Sequence, residues 1–296
     1  MFKKVLVGVD GRPNGRDAIA LALRLMDPDV GLTLAHVHSG ELHPVHAVSP
    51  GLLAGEHDAS MKMLERERSA ADVRAELVSV IAMSPGRGLH QQAEHQHADL
   101  IVVGSSSRGV FGRAMLGDDT RTALNGAPCA VAVAARGYAE HPAPIANVGV
   151  GYNESPESIA ALATARDVAA PTNASLRALE VVSIPTYAFT GLMPPAIGES
   201  IEEMLKAANE RLQALPGVEA RAVYGLTGEE LAEFGDELDI LIVGSRGYGP
   251  VRRLMLGSTS EYLERHARCS LLVLPRSAID SAADAPQPEA GARAGA

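Results

Sequence analysis

A passage of 17 residues is written twice in this chain. Residues 104–120 read GSSSRGVFGRAMLGDDT, and residues 244–260 read GSRGYGPVRRLMLGSTS. Gly104 and Gly244, Gly109 and Gly249, Arg113 and Arg253, Met115 and Met255, and Gly117 and Gly257 all stand 140 positions apart. The match extends upstream, where HADLIVVGS at 97–105 mirrors ELDILIVGS at 237–245, and downstream, where CAVAVAAR at 129–136 mirrors CSLLVLPR at 269–276. A period this long exceeds a solenoid or propeller unit and suits a whole small domain. Two tandem copies of one domain are therefore expected in 296 residues, and a hydrophobic content of 46% can supply two cores.

Each copy opens with a short apolar strand, KVLVGVD at 4–10 and ANVGVG at 146–151. An Ala/Leu-rich amphipathic segment follows, at 15–26 and 155–170, and then a second strand, at 31–38 and 174–183. After an irregular stretch and a charged helix come a third strand, a short helix, the strand DLIVVG or DILIVG, the glycine loop, a helix and a last strand. Alternating strands and helices imply right-handed crossovers and a five-stranded parallel sheet flanked by helices in each copy. Only 3% of residues are aromatic and none is Trp, so the cores are built from Val, Leu, Ile and Ala, as buried parallel sheets are. The expected boundaries are 1–137 for the first domain, 138–144 for a Pro-containing linker and 145–277 for the second domain. The tail, 278–296, has no periodicity and is expected to be disordered. The closing strands AVAVAA and LLVLP would by themselves leave open sheet edges.

In such sheets ligands bind beyond the carboxyl ends of the strands, which is where the glycine loop begins. In the second copy Gly244, Gly247 and Gly257 form the pattern G-x2-G-x9-G-S, closed by Ser258 and Thr259. Glycines let a phosphate approach the backbone, and a helix N-terminus offers free amides and a positive dipole end. Arg246, Arg252 and Arg253 add cations, and Glu261 stands three residues after Ser258, as in a capping box. An ordinary turn and cap would carry the same residues, so the loop alone leaves both readings open. No Gly-Lys-Ser/Thr follows, so it is not a Walker loop.

The whole constellation, with DILIVGSRG and LMLGSTSEYLERHARCSLLVLPR around it and VLVGVDG at the start of the first copy, resembles the universal stress protein family across both repeats. The resemblance implies two Rossmann-like or flavodoxin-like domains, of the adenine nucleotide alpha hydrolase-like type, whose closing strands pair or pack across a pseudo-two-fold axis as in the family's dimers, and a regulatory or protective role in stress rather than catalysis. In an ATP-binding subgroup this loop holds the phosphates and ribose, which implies ATP or another adenine nucleotide, with or without Mg²⁺, at Gly244, Arg246, Gly247, Arg253, Gly257, Ser258 and Thr259. Asp10, ending the first strand, matches that subgroup's nucleoside contact. With Gly104 and Gly117 it forms a weaker set in the first domain. In the second copy Gly151 aligns with Asp10.

The repeats differ at the loop. Ser107 replaces the second motif glycine, and Asp118 and Asp119 stand where Ser258 and Thr259 offer hydroxyls. Carboxylates at a helix N-terminus cap the amides a phosphate would use. A carboxylate and a phosphate near 4 Å repel by on the order of 4 kcal/mol at an effective dielectric near 20. One nucleotide per chain, in the second domain, is the expectation. An interaction protein without nucleotide and a slow nucleotide hydrolase are the alternatives.

Other constellations carry less. His36, His38, His43 and His46 crowd one region and His90, His95 and His97 another, without a counterpart in the second copy; exposed loop histidines account for them more simply than a metal site. No nucleophile and base pair is visible, and Cys129 and Cys269 sit at equivalent places that should not meet. A net charge of −10 argues against nucleic acid or an anionic membrane as partner. The start MFKKVLVGVDG lacks a signal-peptide pattern and no apolar run nears the roughly 18 residues of a bilayer span, so a cytoplasmic protein is expected. The expected partners are the nucleotide and the opposite domain, with a homodimer of chains left open.

Overall fold

The computed structural model describes residues 1–39, 50–105, 118–183, 196–245 and 257–275. The first half runs β1 (Phe2–Gly8), α1 (Pro13–Leu25), β2 (Met26–Ser39), α2 (Pro50–Ala71), β3 (Glu76–Ala82), α3 (Pro85–Gln96), β4 (Leu100–Gly104), α4 (Asp118–Leu124) and β5 (Ala130–Ala134). The second repeats the order with β6 (Asn147–Gly151), α5 (Pro156–Ala169), β7 (Ser175–Val182), α6 (Ala196–Gln213), β8 (Glu219–Tyr224), α7 (Thr227–Phe234), β9 (Ile240–Gly244), α8 (Ser258–His266) and β10 (Ser270–Leu274). Several helices start on local signals. Pro13, Pro85 and Pro156 occupy the first turn, where a missing N–H costs nothing, and Ser84 and Ser155 cap α3 and α5 by accepting from the amides of Arg87 and Ser158. The second strand starts earlier than its sequence pattern suggests, because Met26 pairs with Phe2 before the register shifts to Lys4 with Gly31.

Among the described residues the ten strands form one sheet, in the order β3-β2-β1-β4-β5-β10-β9-β6-β7-β8. Within each half all pairs are parallel, and β1 and β6 are the switch points from which the chain winds in both directions. Alternate residues along each central strand face opposite layers. Val5, Val7, Leu100, Val102, Ile240, Ile242 and Leu272 pack under α1, α2, α5 and α6. Leu6, Ile101, Val103, Leu241, Val243, Leu271 and Val273 pack under α3, α4, α7 and α8. Each apolar layer is continuous across both halves, so the two repeats share their cores.

Two image carboxylates start the central strands in the same way. Asp99 accepts the amides of Lys3 and Lys4, and Asp239 accepts those of Ala146 and Asn147. The segment between the halves is tied as well. Asp17, buried on α1, accepts from the amides of Gly137 and Ala139 at 3.0 and 2.8 Å. Among the described residues no helix is long and apolar enough to cross a membrane.

The halves join where β5 and β10 run antiparallel, pairing Val131 with Val273, Ala132 with Leu272, and Val133 with Leu271. This is the expected pairing of the closing strands. Ala132 and Leu272 are themselves 140 positions apart, so the pseudo-two-fold axis passes through their pair. Over the seam, Arg121 of α4 meets Glu261 of α8 at 2.9 Å. One turn further along α8 lies Glu264, buried, with neither carboxylate oxygen hydrogen-bonded. Burial pushes its carboxyl up to about 7, with Arg121 and Arg265 opposing the shift.

This sets a pH dependence. From about pH 4.5 to 7 the unfolded chain has released the proton that the native chain still holds, so Glu264 makes stability fall as pH rises through that window. The full effect is about 3 kcal/mol at most, from 1.36 kcal/mol per pKa unit. Glu264→Leu, which copies the residue at the image position 124, should raise the melting temperature at pH 7.5 and flatten its decline between pH 5 and 7. Thermal melts across that range check it.

The carboxyl-end cleft of the second half

In the second half a cleft opens at the carboxyl ends of β6, β7 and β9. Its wall is made by Gly151, Tyr152 and Asn153 after β6, Leu179, Val181 and Ser183 along β7, and Val243 and Gly244 of β9. Three helices begin at its rim: α5 brings Ser155, Glu157 and Ser158, α7 brings Thr227, and α8 brings Gly257, Ser258, Thr259 and Ser260. The cleft thus sits at the switch point between β6 and β9, where this topology leaves the strand ends uncovered.

The start of α5 is knitted to itself. Asn153 Oδ1 accepts from the Ser155 amide at 3.3 Å and the Ser155 hydroxyl at 2.7 Å, while Ser158 Oγ accepts from the Asn153 amide and donates to the Ser155 carbonyl. The start of α8 differs. Its N-cap is Gly257, extended at φ −80° and ψ 165°, with no side-chain cap, and Ser258 and Thr259 are the first residues of the helix. The first intrahelical bond runs from the Glu261 amide to the Gly257 carbonyl. The expected capping box is therefore absent. Glu261 lies one position too far into the helix to reach back, and it pairs instead with Arg121 and Arg265. Among the described residues a glycine cap leaves the amides of the first turn without a side-chain acceptor, with the positive end of the helix dipole behind them.

The registers correct one alignment. Val5, Leu6 and Val7 pair with Leu100, Ile101 and Val102, while Val148, Gly149 and Val150 pair with Ile240, Leu241 and Ile242. Gly151 therefore matches Gly8, and the counterpart of Asp10 is Asn153. The next bonds agree: the Val9 amide binds the Ala35 carbonyl and the Tyr152 amide that of Leu179. Asp10 Oδ1 accepts from the Arg12 amide at 3.0 Å, as Asn153 accepts from Ser155. The second half has not lost a polar side chain at this place; it has exchanged a carboxylate for an amide.

Gly244 and Gly104 have a packing reason to be glycine. A Cβ on Gly244 would lie 2.6 Å from Cβ of Glu157, and one on Gly104 would collide with the carbonyl oxygen of Asn14. In each half the first helix turn lies directly across the end of the fourth strand. Ser245 and Ser105, the next residues, each hold a buried hydroxyl oxygen without a hydrogen-bond partner among the described residues, a feature no sequence signal announced. Arg246, Gly247, Arg252, Arg253, Ser107 and Gly117 lie outside the described residues, and of Asp118 and Asp119 only the helical backbone is described.

One positioning device escaped the sequence entirely. Glu154, between Asn153 and Ser155, has φ +58°, where the first half has Gly11 at φ +73°. A left-handed non-glycine residue costs about 1–2 kcal/mol. Arg211 of α6 holds it, pairing with Glu154 Oε2 at 3.0 Å and with the buried Glu180 Oε1 at 2.7 Å.

Several of the histidines and both cysteines make contacts within the fold. His36 and His38 lie in β2, half-buried rather than exposed: His36 Nδ1 meets the Val9 carbonyl oxygen at 2.7 Å, and His38 meets Ser79 Oγ and Glu56. His90 is buried against the Ala123 carbonyl, and His43 and His46 lie outside the described residues. Among the described residues no cluster of three or more His, Cys, Asp or Glu could hold a metal. Cys129 and Cys269 are free and buried, and burial pushes both thiols up to about 12, far from a reactive thiolate.

Two outcomes follow for variants. Gly244→Ala should lower the melting temperature without any ligand, by about 1–3 kcal/mol of overpacking, measured by denaturant unfolding. Arg211→Ala should destabilise by roughly 2–3 kcal/mol, below the range for fully buried pairs because the guanidinium is partly open to water. The same unfolding measurement, with Glu154→Gly restoring part of the loss, checks it.

Residues 1–135 and 144–275 each match the universal stress protein family. The Thermus aquaticus universal stress protein in the QAH/OAS sulfhydrylase 3′ region is 29% identical over 142 residues, 44% of this chain and 97% of its own length. Among solved structures, a universal stress protein from Archaeoglobus fulgidus DSM 4304 shares 17% identity at a TM-score of 0.63, over 92% of this chain and 98% of that one. A functionally unknown protein from Pseudomonas aeruginosa PAO1 shares 16% at 0.64, over 95% of each. These similarities over nearly whole chains show the fold, and the two family matches, one on each repeat, show that the chain belongs to the universal stress protein family in a tandem, two-domain form.

Proposed function

We propose that this tandem universal stress protein binds one adenine nucleotide, ATP, in the cleft of its second half and acts as a nucleotide-responsive protein in the stress response. The observation that carries this reading is the start of α8, capped by Gly257 and not by a side chain, at the rim of a cleft on the switch-point edge of the sheet. Ser258 and Thr259 add hydroxyls there, and Asn153 adds a polar side chain to the lining. These groups suit a phosphate chain: amides and hydroxyls donate to its oxygens and the helix dipole favours its charge. Glu157 lines the same cleft and opposes the anion, so Arg246 and Arg253 are the cations the reading calls for. The cleft's volume, about 120 Å³, is below the ~300–1,000 Å³ of typical small-molecule pockets, so part of a nucleotide would stay outside it.

The groups present would bind and orient the phosphates, and a bound Mg²⁺ would supply further charge neutralisation. In the first half Asp118 and Asp119 open α4 where Ser258 and Thr259 open α8, which favours a single site. A second reading, an interaction protein without nucleotide, draws on Gly244, whose place in the motif is already explained by its packing against Glu157.

Calorimetry with ATP separates the two. One ATP per chain is expected, with affinity falling steeply from ATP to AMP. Ser258→Asp should weaken binding by about a hundred- to a thousandfold, from a repulsion on the order of 4 kcal/mol. Asn153→Ala should weaken it by only about tenfold, the effect of one lost hydrogen bond. A protein whose melting temperature ignores saturating ATP would support the interaction reading instead.

A further inference from the structure

We propose that the seam between the halves is a heterotypic lock, in which each half's edge accepts the opposite half and rejects a copy of itself. The reason lies in the pseudo-two-fold axis. In a homotypic pair each residue would face the image of its present partner, and a residue on the axis would face its own copy. The seam can therefore be tested position by position for whether self-pairing would work.

At the axis itself Ala132 stands directly opposite Leu272, both fully buried. Two first halves would set Ala132 against Ala132 and leave a void; two second halves would set Leu272 against Leu272 in the same space. Directly above, Arg121 and Glu261 are also image positions, and they form an ion pair at 2.9 Å. Self-pairing would oppose two arginines or two glutamates. Glu264 sharpens the second case, because its buried carboxylate has no hydrogen bond and Arg121 across the seam is a cation close enough to favour its charge. Two second halves would bring Glu261 and Glu264 together twice over and remove Arg121.

A third contact works in one direction only. The Ala135 amide donates to Ser270 Oγ at 3.2 Å, with Ser270 fully buried. The image of Ala135 is Pro275, which has no N–H, and the image of Ser270 is Ala130, which has no hydroxyl. Two first halves would leave the amide facing Ala130, and two second halves would leave the hydroxyl facing Pro275. Steric fit, charge and hydrogen bonding thus select the same partner, and a buried donor or acceptor left without one is penalised in both homotypic arrangements.

Charge exchange in the full chain tests the lock. Arg121→Glu and Glu261→Arg should each lower the melting temperature by at least roughly 2 °C, and the double variant should recover most of that loss. Shifts that simply add in the double variant would overturn the charge component. A second measurement uses the exposed stretch His141–Pro144. With a protease site placed there, the full chain is cleaved after folding, diluted, reconcentrated and weighed by native mass spectrometry. A single complex of one first half with one second half is expected. Pairs of like halves, or halves that come apart, would overturn the proposal.

Discussion

Three opposed residue pairs on β5 and β10 hold the architecture together. Without them each half would end in an open strand edge, with unpaired amides and carbonyls beside apolar residues that have no layer to cover them. With them the ten described strands become one sheet, and the two apolar layers run from one half into the other. The helices above the joint then inherit their partners: α4 and α8 are brought close enough for Arg121 to meet Glu261 and for Glu264 to lose its water.

The winding of the strands within each half decides where chemistry can occur. The uncovered strand ends lie at the switch points, between β1 and β4 and between β6 and β9, where the crossovers leave in opposite directions. At the second of these, α8 starts on a glycine while α5 starts on a serine that caps its own amides. One helix end is closed and the other is available. Arg211 adds rigidity from a distance, keeping Glu154 in a backbone conformation that the first half reaches with glycine.

Much of this was legible in the residues. The period of 140 and the strand and helix order followed from repetition and apolar patterning, because burial on both faces of a parallel sheet dictates composition residue by residue, and the pairing of the closing strands followed from the family resemblance. The glycine loop was visible too, although the reason for Gly244 was not: the closest atom to its missing Cβ belongs to Glu157, which precedes it by 87 positions. Asn153 was missed because VGVG resembles VGVD locally. Which residue faces the cleft depends on hydrogen-bonding register against β9, and between the first strand and the glycine loop the first half carries three more residues than the second.

By itself, then, the sequence determined the fold class, the duplication, the edge strands and the candidate loop, all of which rest on short-range pattern and on identity between the copies. Tertiary structure decided what depends on contacts between distant segments: the partner of Asp10's position, the glycine cap in place of a capping box, the hold of Arg211 on Glu154, and the burial of Glu264. The seam shows the division most clearly. Ala132 and Leu272, or Arg121 and Glu261, read as unremarkable differences between two repeats until the antiparallel pairing puts each on a shared axis, where the difference becomes complementarity. A repeat reveals what two copies have in common, whereas the fit between them depends on where they differ, and only the folded chain brings those differences into contact.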